Sequence, residues 1–164
     1  MELHAIALVL AAFLCSLVAG FLFAFAVVAM PGIKTLDDGA FIRAFQAMDG
    51  VIQNNQPLFM VVWLGSVVAL IAAAVTGFGH LEGMARWGLI GTALVYLGGV
   101  QAPTVLINVP LNNRLQSLDV DALDASSRAA ARAAFEGRWN RSNRFRTVVA
   151  CLVALVLTGR FFWM

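Results

Sequence analysis

Four long apolar stretches, separated by polar segments, make up most of this chain. They predict membrane-spanning helices over residues 5–30, 57–78, 87–107 and 146–163. Each of the first three holds the roughly 20 apolar residues needed to cross the hydrocarbon core of a bilayer. The fourth is shorter, but Arg146 and Arg160 can extend toward the bilayer surfaces, and Trp163 suits the interface. We therefore predict an all-α fold: an integral membrane four-helix bundle in which residues 1–164 form one four-span domain.

The first loop between the spans carries a helical pattern of its own. Asp37 or Asp38 can cap a helix start, and apolar residues follow at helical spacing at Phe41, Ile42, Phe45, Met48 and Ile52. This stripe predicts an interfacial helix that lies on the bilayer. Arg43, Gln46 and Asp49 are expected on its other faces.

The third loop, about residues 113–145, is also predicted to be helical. Asp124 is a helix start signal, and the Ala-rich sequence after it has strong helix propensity. We expect this helix to run almost continuously into the fourth span, with Gly137 as the position where it could bend.

Small residues recur at every fourth position in three spans, which predicts closely packed helices. These residues are Ala12, Ser16, Gly20 and Ala24 in the first span, Gly65, Ala69, Ala73 and Gly77 in the second, and Ala150, Ala154 and Thr158 in the fourth.

The composition supports the membrane assignment. The chain is 61% hydrophobic and 12% charged, with a mean hydropathy of +0.85, whereas soluble domains are nearer a quarter charged. The net charge of +2 is uninformative about nucleic acid, but the chain has no basic tail or base-reading module, so we expect no nucleic-acid partner. Cys15 and Cys151 are expected at different depths, so we predict no disulfide.

Two polar clusters, at residues 108–114 and 138–144, stand where spans meet loops. Turn formation or contact with lipid head groups can explain each residue singly, and a shared pocket explains the whole set equally well. The candidate residues are Asn108, Asn112, Asn113, Trp139, Asn140, Asn143 and Arg144, with Gln101 deeper in the third span and Asp49 in the first loop.

The histidines give little support for a metal site. His4 and His80 are expected near the opposite membrane face from the polar clusters, and no His-x-x-x-His or Cys-x-x-Cys spacing exists. Haem ligation by both histidines is geometrically possible, although interfacial histidines are the simpler interpretation. We predict no metal and no cofactor.

The same residues carry a resemblance to a known family. The chain resembles the membrane family that includes fungal and bacterial anthrone oxygenases, and the resemblance covers nearly its whole length. The matching elements are Gly20-Phe-Leu-Phe-Ala-Phe, Met30-Pro31, Phe45-Gln-Ala-Met, Asn54-Asn-Gln-Pro-Leu-Phe, Asn108-Val-Pro-Leu-Asn-Asn and Arg138-Trp-Asn-Arg-Ser-Asn-Arg. The resemblance implies a four-helix membrane domain, and characterised members oxidise anthrones to anthraquinones with O2.

That activity fits the candidate residues. An anthrone has an acidic methylene beside a carbonyl, and the enolate formed by its deprotonation reacts with O2. The site then needs a base and donors for the oxyanion. Among the candidate residues, Asp49 is the nearest base, so we predict Asp49, Asn108 and Arg144 as the catalytic residues, with Asn108 and Arg144 as donors and no cofactor. The predicted substrate-binding residues are Gln101, Asn112, Asn113, Trp139, Asn140 and Asn143.

Two other functions stay open, and so does the question of whether the chain is an enzyme. It could bind an aromatic or quinone-like lipid without turnover, or it could be a non-catalytic subunit of a larger membrane protein complex. The expected surroundings are a lipid bilayer, specifically a bacterial inner (cytoplasmic) membrane.

The distribution of basic residues predicts the orientation in the membrane. Nine of the 11 Lys and Arg residues lie in or beside the first and third loops, and the positive-inside rule places those loops in the cytoplasm. Reporter fusions at Met164 and near Ser126 should report opposite sides, with the C-terminus outside the cytoplasm. A cytoplasmic signal at Met164 would contradict the orientation.

Overall fold

A computed structural model describes residues 2–160 as five helices. They are α1 (Glu2–Lys34), α2 (Asp38–Gln53), α3 (Pro57–His80), α4 (Gly83–Gln116) and α5 (Ala125–Gly159). No β-strand occurs within residues 2–160. Helices α1, α3, α4 and α5 are long and apolar enough to cross a membrane, which confirms the predicted all-α four-span architecture. The predicted end of the fourth span at Trp163 lies outside the described residues.

Helix α4 is longer than the sequence predicts. The third span was predicted to end at residue 107, yet the helix continues through Pro110 to Gln116. Proline is tolerated in the first turn of a helical segment, because the N–H that it lacks is not needed there. A wider π-helical turn, Thr104–Asn108, directly precedes the segment that contains Pro110. The polar residues 108–116 are therefore helical, not a turn at the helix end.

The first-loop helix is confirmed as α2, and its cap is Asp37, which accepts a hydrogen bond from the Ala40 backbone N–H at 2.8 Å. Its stripe is buried at Phe41, Ile42 and Phe45. This stripe packs against protein, in a cluster with Phe135 of α5. Helix α2 thus closes the bundle at one end.

Helix α5 joins the third loop to the fourth span without a break. Its cap is Asp124, which accepts a hydrogen bond from the Ser127 backbone N–H at 2.7 Å. The predicted start is confirmed, and the helix continues through Gly137. As a result, one rigid element carries residues from the loop into the bundle.

Helix α1 is the centre of the bundle and packs along both α3 and α5. The predicted small face of α3 is confirmed, since Ala69, Ala73 and Gly77 are buried. Most of the predicted face of α1 is not packed: Ala12 is buried, but Ser16, Gly20 and Ala24 are exposed. Its buried face instead includes Ala11, Cys15 and Ala19. Because α1 has small residues on more than one face, their spacing alone could not identify the packed one.

The two ends of the bundle differ in character. At the terminal side, His4 of α1 lies beside His80 of α3, with ring centroids 6.4 Å apart, and Arg160 donates to the Ala85 carbonyl at 2.7 Å. The loop side is formed by α2 and the adjoining ends of the four spans.

Cys15 is buried and Cys151 is exposed, and both are free thiols as predicted.

Two adjacent glycines in α4 provide a test of the packing. A Cβ added at Gly99 would lie 2.8 Å from Cγ1 of Val149 on α5, whereas a Cβ at Gly98 meets nothing within 4 Å. We expect Gly99→Ala to lose about 1–3 kcal/mol of stability, the usual cost of overpacking. Gly98→Ala should be neutral or slightly stabilising, since alanine favours helix. Thermal unfolding of both purified variants measures the difference, and equal midpoints would contradict the close approach.

Candidate functional site

A cavity of about 90 Å³ lies in the loop-side half of the bundle. All five helices contribute to its wall. The aromatic lining consists of Phe21, Phe25, Phe45, Phe59, Trp63 and Trp139, and the polar lining consists of Asp49, Thr104, Asn108, Asn112, Asn143 and Arg146. The cavity therefore has flat apolar surfaces and a small number of polar groups, which is typical of small-molecule sites.

Helical spacing explains how each element presents its residues. Thr104, Asn108 and Asn112 follow one another at intervals of four on α4, so they share one face. Asn143 stands four residues after Trp139 on α5, and Asp49 stands four after Phe45 on α2. Each of these three helices thus presents one face to the cavity.

Asp49 is 4% exposed and is held by three neutral donors. Its carboxylate accepts hydrogen bonds from Nδ2 of Asn112 at 2.7 Å, Nε2 of Gln53 at 2.8 Å and Nε2 of Gln116 at 3.1 Å. No Lys or Arg within residues 2–160 forms an ion pair with it. The sequence placed Asp49 away from the apolar stripe of α2. It is nevertheless buried, because the extended end of α4 covers that side of the helix.

Arg146 is the second buried charge on this cavity and is also 4% exposed. Its guanidinium donates to Oγ1 of Thr104 at 2.7 Å and to Oδ1 of Asn143 at 3.0 Å. It lies 6.0 Å from the ring centroid of Trp139. The Nε–H has no acceptor among the described residues. This cation therefore has only neutral partners and one unused donor.

A chain of hydrogen bonds connects the polar lining. Nε1 of Trp139 donates to Oδ1 of Asn112 at 2.7 Å, and the amide of Asn112 in turn donates to Asp49. Oδ1 of Asn108 accepts from Oγ of Ser142 at 2.5 Å. Asn143 donates to the Leu22 carbonyl of α1 at 3.2 Å. The amides thus tie α1, α2, α4 and α5 together around the cavity.

Three π-helical turns adjoin this region: Phe25–Ala29 in α1, and Leu97–Gln101 and Thr104–Asn108 in α4. Such turns are rare and frequently occur at functional sites. Phe25, Thr104 and Asn108 belong to them and also line the cavity. The irregular backbone of both helices is therefore concentrated where the polar side chains meet.

The most exposed part of the wall lies between α3 and α4. These helices pack closely over Gly83–Tyr96, near their connection. Toward the loop side, Trp63 bridges the two helices, because its Nε1 donates to Oε1 of Gln101 at 3.0 Å. Val109 is 41% exposed, and Phe59 and Trp63 are half-buried. Of the residues that line the cavity, Val109 is therefore the one most exposed at the outer surface of the bundle.

The structure brings together five of the residues singled out from the sequence. Asp49, Asn108, Asn112, Trp139 and Asn143 all line the cavity.

The other four residues lie elsewhere. Asn140 and Arg144 line a separate cavity, although Asn143 borders both. Asn113 is exposed and accepts a hydrogen bond from Gln53, and Gln101 lies behind Trp63.

Arg146 is the arginine that lines the cavity, and it was not among the candidates singled out from the sequence. Arg146 was interpreted as a residue extending to the bilayer surface, and Arg144 was chosen in its place. The aromatic walls from α1, α2 and α3 were also missed. Their signal is the spacing of Phe21 and Phe25, and of Phe59 and Trp63, each pair four residues apart. In an apolar span this signal resembles ordinary lipid-facing sequence.

The chain matches a known protein family. The model of the anthrone oxygenase family matches residues 56–156, which include α3, α4 and most of α5. No curated protein and no solved structure matches the chain. The matched segment contains Asn108, Asn112, Trp139 and Arg146, whereas Asp49 precedes it.

The hydrogen-bond chain can be tested with adjacent asparagines. Asn112→Leu removes the donor to Asp49 and the acceptor for Trp139, and each stranded buried group costs about 1–3 kcal/mol. Asn113→Leu is the control, because it makes the same substitution at an exposed side chain. We expect a clear fall in the unfolding midpoint and altered tryptophan fluorescence for Asn112→Leu only. Equal behaviour of the two variants would contradict the network.

Proposed function

This chain belongs to the anthrone oxygenase family, and from that premise we propose that the loop-side cavity binds a planar aromatic ketone and supports its oxidation by O2. The observation that carries the proposal is the pair of buried charges, Asp49 and Arg146, on one aromatic-lined cavity. Each has only neutral hydrogen-bond partners within residues 2–160. Buried charges without a counter-ion are costly, and in membrane segments they mark functional sites.

The proposed reaction starts with a proton transfer. The carboxylate of Asp49 takes a proton from the methylene carbon of the ketone, and the C–H electron pair moves into an enolate. The enolate carbon then forms a bond to O2, which accepts the electrons, and the peroxide anion takes back the proton held by Asp49. Loss of water leaves a second carbonyl, so one anthrone and one O2 give one anthraquinone and one H2O.

Arg146 is proposed to stabilise the enolate oxygen. Its guanidinium carries a positive charge and an unused N–H donor, and a donor of this kind acts where negative charge develops. The sequence suggested Arg144 for this role, and the lining of the cavity favours Arg146. The amides of Asn108 and Asn112 supply further polar contacts, and Trp139 offers a ring for stacking.

The size of the cavity favours a ligand that enters from the bilayer. Its volume of about 90 Å³ is smaller than the roughly 150 Å³ that accommodates benzene. A three-ring ketone would therefore extend beyond the cavity, and we propose that it does so past Val109, the most exposed residue of the wall. An apolar ligand dissolved in lipid reaches this side of the wall without crossing water.

The test is anthrone-dependent O2 uptake by the purified, metal-stripped protein. We expect Asp49→Asn to lower the rate by about 10²–10⁴-fold, the usual contribution of a general base. Arg146→Gln should lower it by roughly 10²–10³-fold, as for loss of an oxyanion donor. Arg141→Gln is the matched control, because Arg141 is exposed and lies on the opposite face of α5.

Several outcomes would contradict this function. A loss of uptake on metal removal, restored by adding the metal, would overturn the metal-free mechanism. Saturable binding of the aromatic ketone without O2 uptake would instead support a binding protein. The absence of both would favour a non-catalytic subunit of a membrane complex. Thermal unfolding of each variant separates lost activity from lost folding.

A further inference from the structure

A second cavity, of about 330 Å³, lies on the loop side between the end of α1 and α5. Its wall combines the positively charged Lys34 and Arg144 with the amides of Asn140 and Asn143. Its volume is within the range of about 300–1,000 Å³ that is typical of ligand sites. The proposed oxidation uses neither of these two cations.

The charge of this cavity is unbalanced. Lys34 and Arg144 are exposed and form no ion pair among the described residues. Glu136 also lines the cavity, but its carboxylate is engaged by Nε of Arg132 at 2.9 Å. The two remaining positive charges therefore favour an anionic ligand.

The rest of the wall is apolar. Ala26, Met30 and Pro31 of α1 form it, and they stand where the first apolar stretch ends and Lys34 follows. This is the level at which a spanning helix passes from hydrocarbon to the polar head-group layer. A ligand here meets cations and amides at one end and an apolar helix surface at the other.

We propose that this cavity is a specific site for the head group of an anionic phospholipid. The phosphodiester would contact Lys34 and Arg144, and the acyl chains would follow the apolar surface of α1 beyond Met30 and Ala26. Basic pockets between membrane helices bind anionic head groups in this way. A free phosphate has the same charge chemistry but gains nothing from the apolar wall. This inference does not depend on the proposed oxidation.

The test uses the full-length protein purified in detergent and titrated with phosphatidylglycerol or phosphatidylcholine. Native mass spectrometry measures how much of each lipid is retained. We expect phosphatidylglycerol to be preferred. Lys34→Gln and Arg144→Gln should each weaken its retention by about 5-fold, and the double variant by about 30-fold, from the usual contribution of a basic residue near anionic lipid.

Arg138→Gln is the matched control, because Arg138 is an exposed arginine on the opposite face of α5 from this cavity. Its retention of phosphatidylglycerol should equal that of the unaltered protein. Equal weakening by Arg138→Gln would overturn the proposal, since the attraction would then be spread over the basic surface. Equal retention of the two lipids would also overturn it. Inorganic phosphate provides the last arm: saturable thermal stabilisation by phosphate, together with displacement of phosphatidylglycerol, would assign the site to free phosphate.

Discussion

The burial of two charges that pair only with neutral groups is the constraint on which the loop-side half of this bundle depends. Asp49 and Arg146 are almost fully buried, and isolated charges inside a membrane protein are expensive. Amides and a hydroxyl provide their hydrogen bonds, from α2, α4 and α5. The helices that carry these groups must therefore keep fixed distances and registers, and the space left between them is the aromatic-lined cavity.

Local irregularity in the backbone accompanies this arrangement. Helix α4 contains two π-helical turns, on either side of Pro103, and continues through Pro110. A helix that ended near residue 107 would not carry Asn112 and Gln116 to Asp49. The polar end of α4 is therefore part of the site and not a connection that leaves it. Helix α2 completes the enclosure, because its apolar stripe packs against Phe135 of α5.

The aromatic-lined cavity and the cavity beside Lys34 have one lining residue in common. Asn143 borders both, and its side chain contacts Arg146 of its own helix and the Leu22 carbonyl of α1. An aromatic ligand in one cavity and a lipid head group in the other would both lie against this side chain.

The sequence by itself determined the four spans, the two loop helices and the cap at Asp124, and it narrowed the other cap to Asp37 or Asp38. Those features follow from apolar length and local hydrogen bonding, which a linear sequence contains. Only the tertiary structure decided which arginine faces the cavity. Arg144 and Arg146 are two residues apart on α5, so they point in directions about 200° apart. Which direction is buried depends on where α1, α2 and α4 pack. The sequence of α5 does not show which of its faces those helices cover.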